Sequence, residues 1–200
     1  MTKDATIREI HHRVKNNLQT VSALLRLQSR RSSEDAVKVA LAEAERRVQA
    51  IATVHAALSQ NVDESVDFDE VARTIVRMAG AIASTDHSVE VITTGSFGTI
   101  QADQAQALAT VLNELVANSV EHGLAERDGL IEVRAVREGN SMTVTVADDG
   151  VGFVPGTPMS GLGTQIVHQM VRGELKGSIE WAPREGGGTL VTLHANLDPA

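Results

Sequence analysis

The chain has 200 residues, a formal charge of −8 at pH 7, no cysteine and 2% aromatic residues. The acidic balance argues against a nucleic-acid or anionic-membrane surface, which needs a basic face, and the scarcity of aromatics argues against a stacking platform for single strands. Without cysteine there are no disulfides, thiolate nucleophiles or Cys-based zinc sites, while 42% hydrophobic residues are enough for a core.

No apolar run approaches the roughly 18–20 residues of a membrane span, and the N-terminus has no signal-peptide pattern. The expectation is a soluble, cytoplasmic chain with no membrane contact and no direct nucleic-acid partner. From Thr6 to Leu58 there is no Gly or Pro, and all 16 Gly and 4 Pro fall later. In the first stretch Ile7, Ile10, Val14, Leu18, Val21 and Leu25 keep helical spacing. A break at Arg31-Ser32-Ser33-Glu34-Asp35 supplies capping residues and acid for a new N-terminus. A second stripe follows through Val37, Leu41, Ala44, Val48, Ile51 and Leu58. Two helices joined by a short turn form an antiparallel hairpin, and two such hairpins form a dimeric four-helix bundle.

Residues 1–60 are therefore expected to be a helical dimerisation unit, 61–67 a linker, and 68–200 a second domain. In that domain the patterns predict a helix over 68–83, a strand over 88–94 and a helix over 103–122. Strands over 130–137 and 141–147, a Gly-rich loop, a helix over 162–173 and strands over 176–182 and 188–195 follow. Antiparallel-looking strands with three helices among them predict an α+β chain, the second domain being a two-layer α/β sandwich with helices on one face.

On the first helix, His11 lies roughly 60° from the centre of the apolar stripe, at the bundle edge, and His12 roughly 160° from it, facing water. Asn16 stands one turn beyond His12. Neutral imidazole, the main form of an ordinary histidine at pH 7, is a competent nucleophile, and an exposed one can meet a phosphoryl donor on another domain. His11 is the fallback acceptor, expected to pack against Ile7 and Val14.

Four further patterns follow. Glu114 and Asn118, one turn apart in Leu112-Asn113-Glu114-Leu115-Val116-Ala117-Asn118, can order a hydrated Mg²⁺ through hard oxygen donors. A strand runs directly into Asp148-Asp149-Gly150-Val151-Gly152, where the acid suits an exocyclic amine and the glycines a tight turn. Gly161-Leu162-Gly163 opens a helix, a site for phosphates on free backbone amides. Gly186-Gly187-Gly188-Thr189 precedes the last strand. Each alone has a bland reading: an amphipathic helix, a β-turn, a helix start, a hairpin turn.

In this order the four motifs resemble the ATP-binding (Bergerat) fold of the GHKL superfamily, which covers gyrase, the ninety-kilodalton heat-shock chaperone, histidine kinases and MutL. Glu9-Ile10-His11-His12-Arg13-Val14-Lys15-Asn16-Asn17-Leu18-Gln19 resembles the phosphoacceptor box of the second class of histidine-kinase dimerisation domains, close to the HWE group. The resemblance implies an ATP-dependent histidine autokinase of a two-component system. His12 would accept the γ-phosphoryl group and pass it to an Asp of a response-regulator receiver. It implies ATP and Mg²⁺ as ligands, Asn118 and Glu114 at the metal, and Asp148 on the adenine amine with Thr189 supporting it through water. Gly150, Gly152, Gly161, Leu162 and Gly163 would shape the pocket and a short lid, 153–160, stiffened by Pro155 and Pro158. Asn16 would position a water for the reverse phosphatase reaction.

The departures are specific. Arg13 follows His12 where many relatives place an acid, leaving Glu9 as a substitute base or a plain solvated carboxylate. Trp181 is followed by Ala-Pro, so the W-x-E signature of the HWE group is not evident. No sensor domain precedes the acceptor helix, which implies an excised core or sensing through a partner. Two alternatives stay open: a GHKL serine kinase of the anti-sigma-factor type, against which residues 6–58 argue, and a non-enzymatic docking module that reports nucleotide.

Overall fold

The computed structural model describes residues 3–58, 65–80, 87–125, 127–153 and 161–199. Helices α1 (Lys3–Arg31) and α2 (Asp35–Leu58) form the hairpin. The chain turns where the cap residues predict: the Ser32 amide closes α1 on the Gln28 carbonyl at 3.0 Å, and Ser32 Oγ accepts the Glu34 amide at 3.2 Å. Asp35 pairs with Lys38 in the first turn of α2, where acid suits the positive end of the helix dipole. Cross-hairpin contacts set the register: Ser22 with Gln49, the Arg26–Glu45 ion pair and His11 with His55.

After β1 (Ser65–Asp67) come α3 (Phe68–Gly80), β2 (Val89–Gly95), β3 (Thr99–Gln101) and α4 (Ala102–Asn118). β4 (Gly129–Glu138), β5 (Ser141–Asp148), α5 (Leu162–Gly173), β6 (Ser178–Pro183) and β7 (Thr189–Asn196) complete the chain. The five-stranded sheet runs β2-β4-β5-β7-β6. Its inner residues alternate with outer ones, as Ile131, Val133 and Ala135 on β4 and Met142, Val144 and Val146 on β5 show. Among the described residues, helices cover only that inner face. The fold is the expected α+β arrangement of a helical hairpin followed by a two-layer sandwich.

Three details differ from the sequence expectation. β2 and β4 pair in parallel, because α4 lies between them and supplies the crossover such a pair requires. Alternating polarity looks the same in either orientation. Second, the end of the expected linker is the strand β1, paired antiparallel with β3; three residues are too few to show a period. Asp69 anchors this corner by accepting the Phe97 amide and the Ser96 hydroxyl. Third, the long helix stops being α-helical at Asn118 and continues as a π-helical turn, Ser119–Leu124. The Ser119 amide is shared between the Leu115 and Val116 carbonyls, and Ala125 leaves the turn with φ 47°. Residues 59–64 of the linker region lie outside the described residues.

α4 is buried on nearly every side, from Gln104 to Ala117, so it forms the spine of the sandwich. The hairpin is joined to it. Val54 and Leu58 of α2 belong to the same core as Phe68, Ile75 and Leu108. Arg46, Ala50, Val54 and Leu58, each four residues apart, form the ridge of α2 that faces this core. Among the described residues no helix is long and apolar enough to cross a membrane.

Candidate nucleotide-binding and phosphoacceptor sites

A cavity of about 420 Å³ lies where α4, the start of α5 and the ends of β5 and β7 meet the middle of α2. It gathers Glu114, Asn118, Asp148, Gly152, Gly161, Leu162, Gly163 and Thr189, residues from all four motifs.

Asp148 ends β5 and is buried. Its Oδ1 accepts the backbone amides of Gly150 at 3.1 Å and Thr189 at 3.2 Å. Oδ2 has no partner among the described residues, and Asp148 lines the cavity. Thr189 thus supports the carboxylate directly through its backbone. Three chain segments crowd around Asp148. A Cβ on Gly150 would lie 1.9 Å from the Gly123 carbonyl oxygen, and one on Gly188, whose φ is +93°, 2.0 Å from the Asp148 carbonyl oxygen. The glycines are therefore packing requirements of the carboxylate's setting.

The two glycines of Gly161-Leu162-Gly163 differ. Gly161 is extended, with φ 165°, and open space surrounds the place of its missing Cβ. At Gly163 a Cβ would come within 2.4 Å of Glu114 Oε2 and 3.3 Å of Arg47 Nη2. The first amides of α5 have no intrahelical acceptor, the usual condition for anion binding at a helix start. Residues 154–160 of the expected lid lie outside the described residues.

At this end of the cavity stand two residues that the motifs do not include. Arg47 holds Glu114 with two parallel hydrogen bonds, Nε to Oε1 at 2.9 Å and Nη2 to Oε2 at 3.0 Å. The pair is secluded, with side chains 13% and 6% exposed. Burial opposes the Arg47 charge, but the hydrogen bond and charge of Glu114, with help from Glu43, raise its pKa. Next to it Arg46 Nη1 pairs with Glu121 at 2.7 Å, while Arg46 Nε is buried without a partner among the described residues. The π-helical turn carries Glu121 to this place. Trp181 also lines the cavity and packs with a tilted ring against His168, their centroids 5.2 Å apart.

His12 and Asn16 are elsewhere. Both are exposed on α1, and Asn16 Nδ2 stands 3.4 Å from His12 Nδ1. His11 is half-buried, and its Nδ1 lies 3.1 Å from that of His55. Burial first, and then the charge of His11, lower the pKa of His55. Glu9 is committed to Arg13 at 2.7 Å, so the substitute base is an ion-paired carboxylate. The Ser22–Gln49 and Arg26–Glu45 contacts place Arg47 level with residues 22–26 of α1. His12 is at least ten residues away along that helix, roughly 15 Å at 1.5 Å per residue.

The cavity thus joins an anchored acid, glycine-shaped walls and an open helix start to a helical hairpin with an exposed histidine. Residues 9–82 match the family described as histidine kinase, and residues 103–199 match the histidine kinase-, DNA gyrase B- and HSP90-like ATPases. The chain belongs to the histidine kinase family and carries its ATP-binding GHKL domain. It is 46% identical over 202 residues to the sensor histidine kinase PdtaS of Mycolicibacterium smegmatis, covering 98% of this chain and 40% of that protein. It is 28% identical over 206 residues to blue-light-activated histidine kinase 2 of Erythrobacter litoralis, covering 97% of this chain and 58% of that one. The histidine kinase domain of a blue-light-activated kinase from Erythrobacter litoralis shares the fold, with a TM-score of 0.64, 23% identity, and coverage of 97% of this chain and 92% of that one. The chain spans about two fifths of the length of the PdtaS relatives.

Proposed function

We propose that this chain is an ATP-dependent autokinase core that phosphorylates its own His12 and passes the phosphoryl group to an aspartate of a response-regulator receiver. The observation that supports it best is the pairing, in one chain, of a water-facing His12 with a cavity whose Asp148 keeps one oxygen without a partner among the described residues. Asp148 Oδ2 accepts the adenine amine, and the amides at the start of α5 meet the phosphates. Glu114 and Asn118 fit Mg²⁺ by chemistry, two hard oxygen donors one turn apart for a cation that keeps most of its waters. When bound there, Mg²⁺ neutralises phosphate charge.

Asn16 stands one turn beyond His12, its Nδ2 3.4 Å from His12 Nδ1, and positions a water for the reverse phosphatase reaction. The unprotonated ring nitrogen of His12 attacks the γ-phosphorus, the bond to the β–γ bridging oxygen breaks, ADP leaves, and the proton on the other ring nitrogen passes to solvent. The receiver carboxylate then attacks the same phosphorus, the P–N bond to His12 breaks, and the released imidazole takes up a proton from solvent. The protein's contribution is mainly positioning.

A homodimer supplies the other half of the bundle. Ile10, Val21, Leu24 and Leu27 on α1 lie outside the hairpin's own seam, Ile10 being 53% and Leu24 54% exposed. Burying each such side chain is worth about 1.5–3 kcal/mol. Leu24→Glu is expected to convert the dimer to monomer in analytical ultracentrifugation; an unchanged sedimentation coefficient overturns this seam.

The autokinase is tested by incubation with γ-labelled ATP and Mg²⁺, an acid-lability assay and peptide mapping. Wild type is expected to carry acid-labile label on His12, and His12→Gln to lose it while still binding ATP. Label retained by that variant moves the acceptor or ends the proposal.

A further inference from the structure

We propose that His55 is a positioning residue for the phosphoacceptor: it shares a proton with His11, the sharing fixes the turn of α1 that carries His12, and the tie is lost when both rings are protonated. The role rests on the autokinase reading, which makes His12 the acceptor; the shared proton rests on the geometry of the two rings.

The Nδ1 atoms of His11 and His55 are 3.1 Å apart. The ring centroids are 5.3 Å apart, close to that gap plus one ring diameter, so the nitrogens point at each other and the rings do not stack. Nδ1 facing Nδ1 admits one proton between them, since one nitrogen must donate and the other accept. Two neutral rings satisfy this, and so does one imidazolium beside one neutral ring, whose bond is charge-assisted. Two imidazoliums do not: donor meets donor and charge meets charge. The rings therefore titrate as a pair. Burial, and then the charge of His11, keep His55 neutral below the ordinary histidine range. The tie is whole above about pH 6.5 and is lost as pH falls through the lowered value.

The charged groups on the flanking elements leave this balance to the pair. Lys15, one turn beyond His11 on α1, and Glu70 on α3 line one cleft with Ala52 and Ala56 of α2. They are of opposite sign, and neither contributes to the His55 shift. Arg77 of α3 turns back onto Thr74 and the Arg73 carbonyl, and Asp67 of β1 caps the Asp69 amide. Glu9 and Arg13 stand roughly 200° around α1 from His11 and neutralise each other.

Toward the turn, Ser22–Gln49 and Arg26–Glu45 hold the two helices in register. Between His11 and Ser22 no other side-chain hydrogen bond ties α1 to α2 among the described residues, a span of roughly 16 Å of helix. Val14 and Leu18 are half-buried along it, but apolar burial has no direction and resists rotation of α1 poorly. A hydrogen bond between two fixed nitrogens does have a direction. His12 follows His11 in the same turn, so the orientation of one ring sets the direction in which the other leaves the bundle.

Two measurements on the full chain test this. Proton–nitrogen correlation spectra of the isotope-labelled chain read the tautomer and charge of each ring, with His11→Gln and His55→Gln to assign the signals. His55 is expected to stay neutral below about pH 6.5, and His11→Gln to raise its titration. A His55 that titrates alike with and without His11 overturns the shared proton. The second measurement is the rate of His12 labelling from γ-labelled ATP, from about pH 7.5 down to about pH 5. Protonation of His12 slows every variant alike, so the ratio of variant to wild type is what counts. His55→Ala should label roughly 3–10-fold more slowly than wild type at the upper pH, the worth of one net hydrogen bond, with unchanged affinity for ADP. His55→Gln keeps a partner for His11 and takes up no proton. It should match the wild-type rate at the upper pH and exceed it increasingly as pH falls. If the alanine variant does not fold by circular dichroism, the pH dependence of the glutamine ratio decides alone. An alanine variant as fast as wild type, a glutamine variant as slow as alanine, or a glutamine ratio that does not change with pH overturns the positioning role. If wild type carries no label at all, the autokinase reading falls and the positioning role with it, while the spectra still decide the shared proton.

Discussion

Asp148→Asn is expected to cost the protein its nucleotide while leaving the fold in place. The asparagine oxygen has a fixed task, because the amides of Gly150 and Thr189 both need an acceptor at the position of Oδ1. Turning the amide the other way would aim its NH₂ at two N–H donors. The oxygen therefore stays inward, and the NH₂ replaces Oδ2 on the cavity wall. On the proposed reading that Asp148 takes the exocyclic amine of adenine, the NH₂ would stand donor against donor. A hydrogen bond to a charged group is worth about 1.5–3 kcal/mol, or roughly 10–150-fold in affinity, and the facing donors add to the loss. Isothermal titration calorimetry with ADP should show binding weakened by about 100-fold or more, and circular dichroism a nearly unchanged melting curve. Wild-type affinity in this variant would mean that Asp148 does not read the base.

The second large effect is a contrast between two glycines of the same turn. Gly186 and Gly188 both have left-handed backbones, with φ +89° and +93°. At Gly186 a Cβ would meet nothing within 4 Å, whereas at Gly188 it would press on the Asp148 carbonyl oxygen at 2.0 Å. Gly186→Ala should cost only the backbone conformation, roughly 1–2 kcal/mol. Gly188→Ala must also push β5 and β7 apart where they frame the cavity, and should cost roughly 3 kcal/mol or more in all. Against a total stability of about 5–15 kcal/mol, that is a large fraction. Urea midpoints measured side by side decide the matter. Equal losses would show that the close approach of Gly188 is relieved at no cost.

What the sequence revealed follows from the range of each signal. His11 and His12 differ only by 100° around a helix, and that arithmetic places one at the hairpin edge and the other in water, as found. The four glycine-and-acid motifs are short, and each carries its own turn or cap chemistry, so they mark the cavity from residues adjacent in the chain. Arg46 and Arg47 were not legible in this way. On α2 they look like charges on a solvated face, and their partners lie 67 residues on from Arg47 at Glu114 and in a π-helical turn at Glu121. A weak trace existed in the row Arg46, Ala50 and Val54, which meets the main stripe only at Leu58 and whose burial only the tertiary structure reveals. The His11–His55 contact was equally hidden, since it depends on the exact register of the hairpin. The parallel edge of the sheet was missed because polarity patterns record which face a residue takes and not the direction of the neighbouring strand.

The core shared by Val54, Leu58, α3 and α4 also bears on how the chain comes apart. A hairpin with only its own seam would fray by itself, and a sandwich with only its own helices would melt by itself. Here the last turns of α2 are packed into the centre of the sandwich, so exposing that centre removes support from the hairpin, and unravelling α2 opens the centre. The two halves are thereby tied into one cooperative unit. The change of texture near residue 60 separates two styles of sequence, but denaturation should pass through it without a pause.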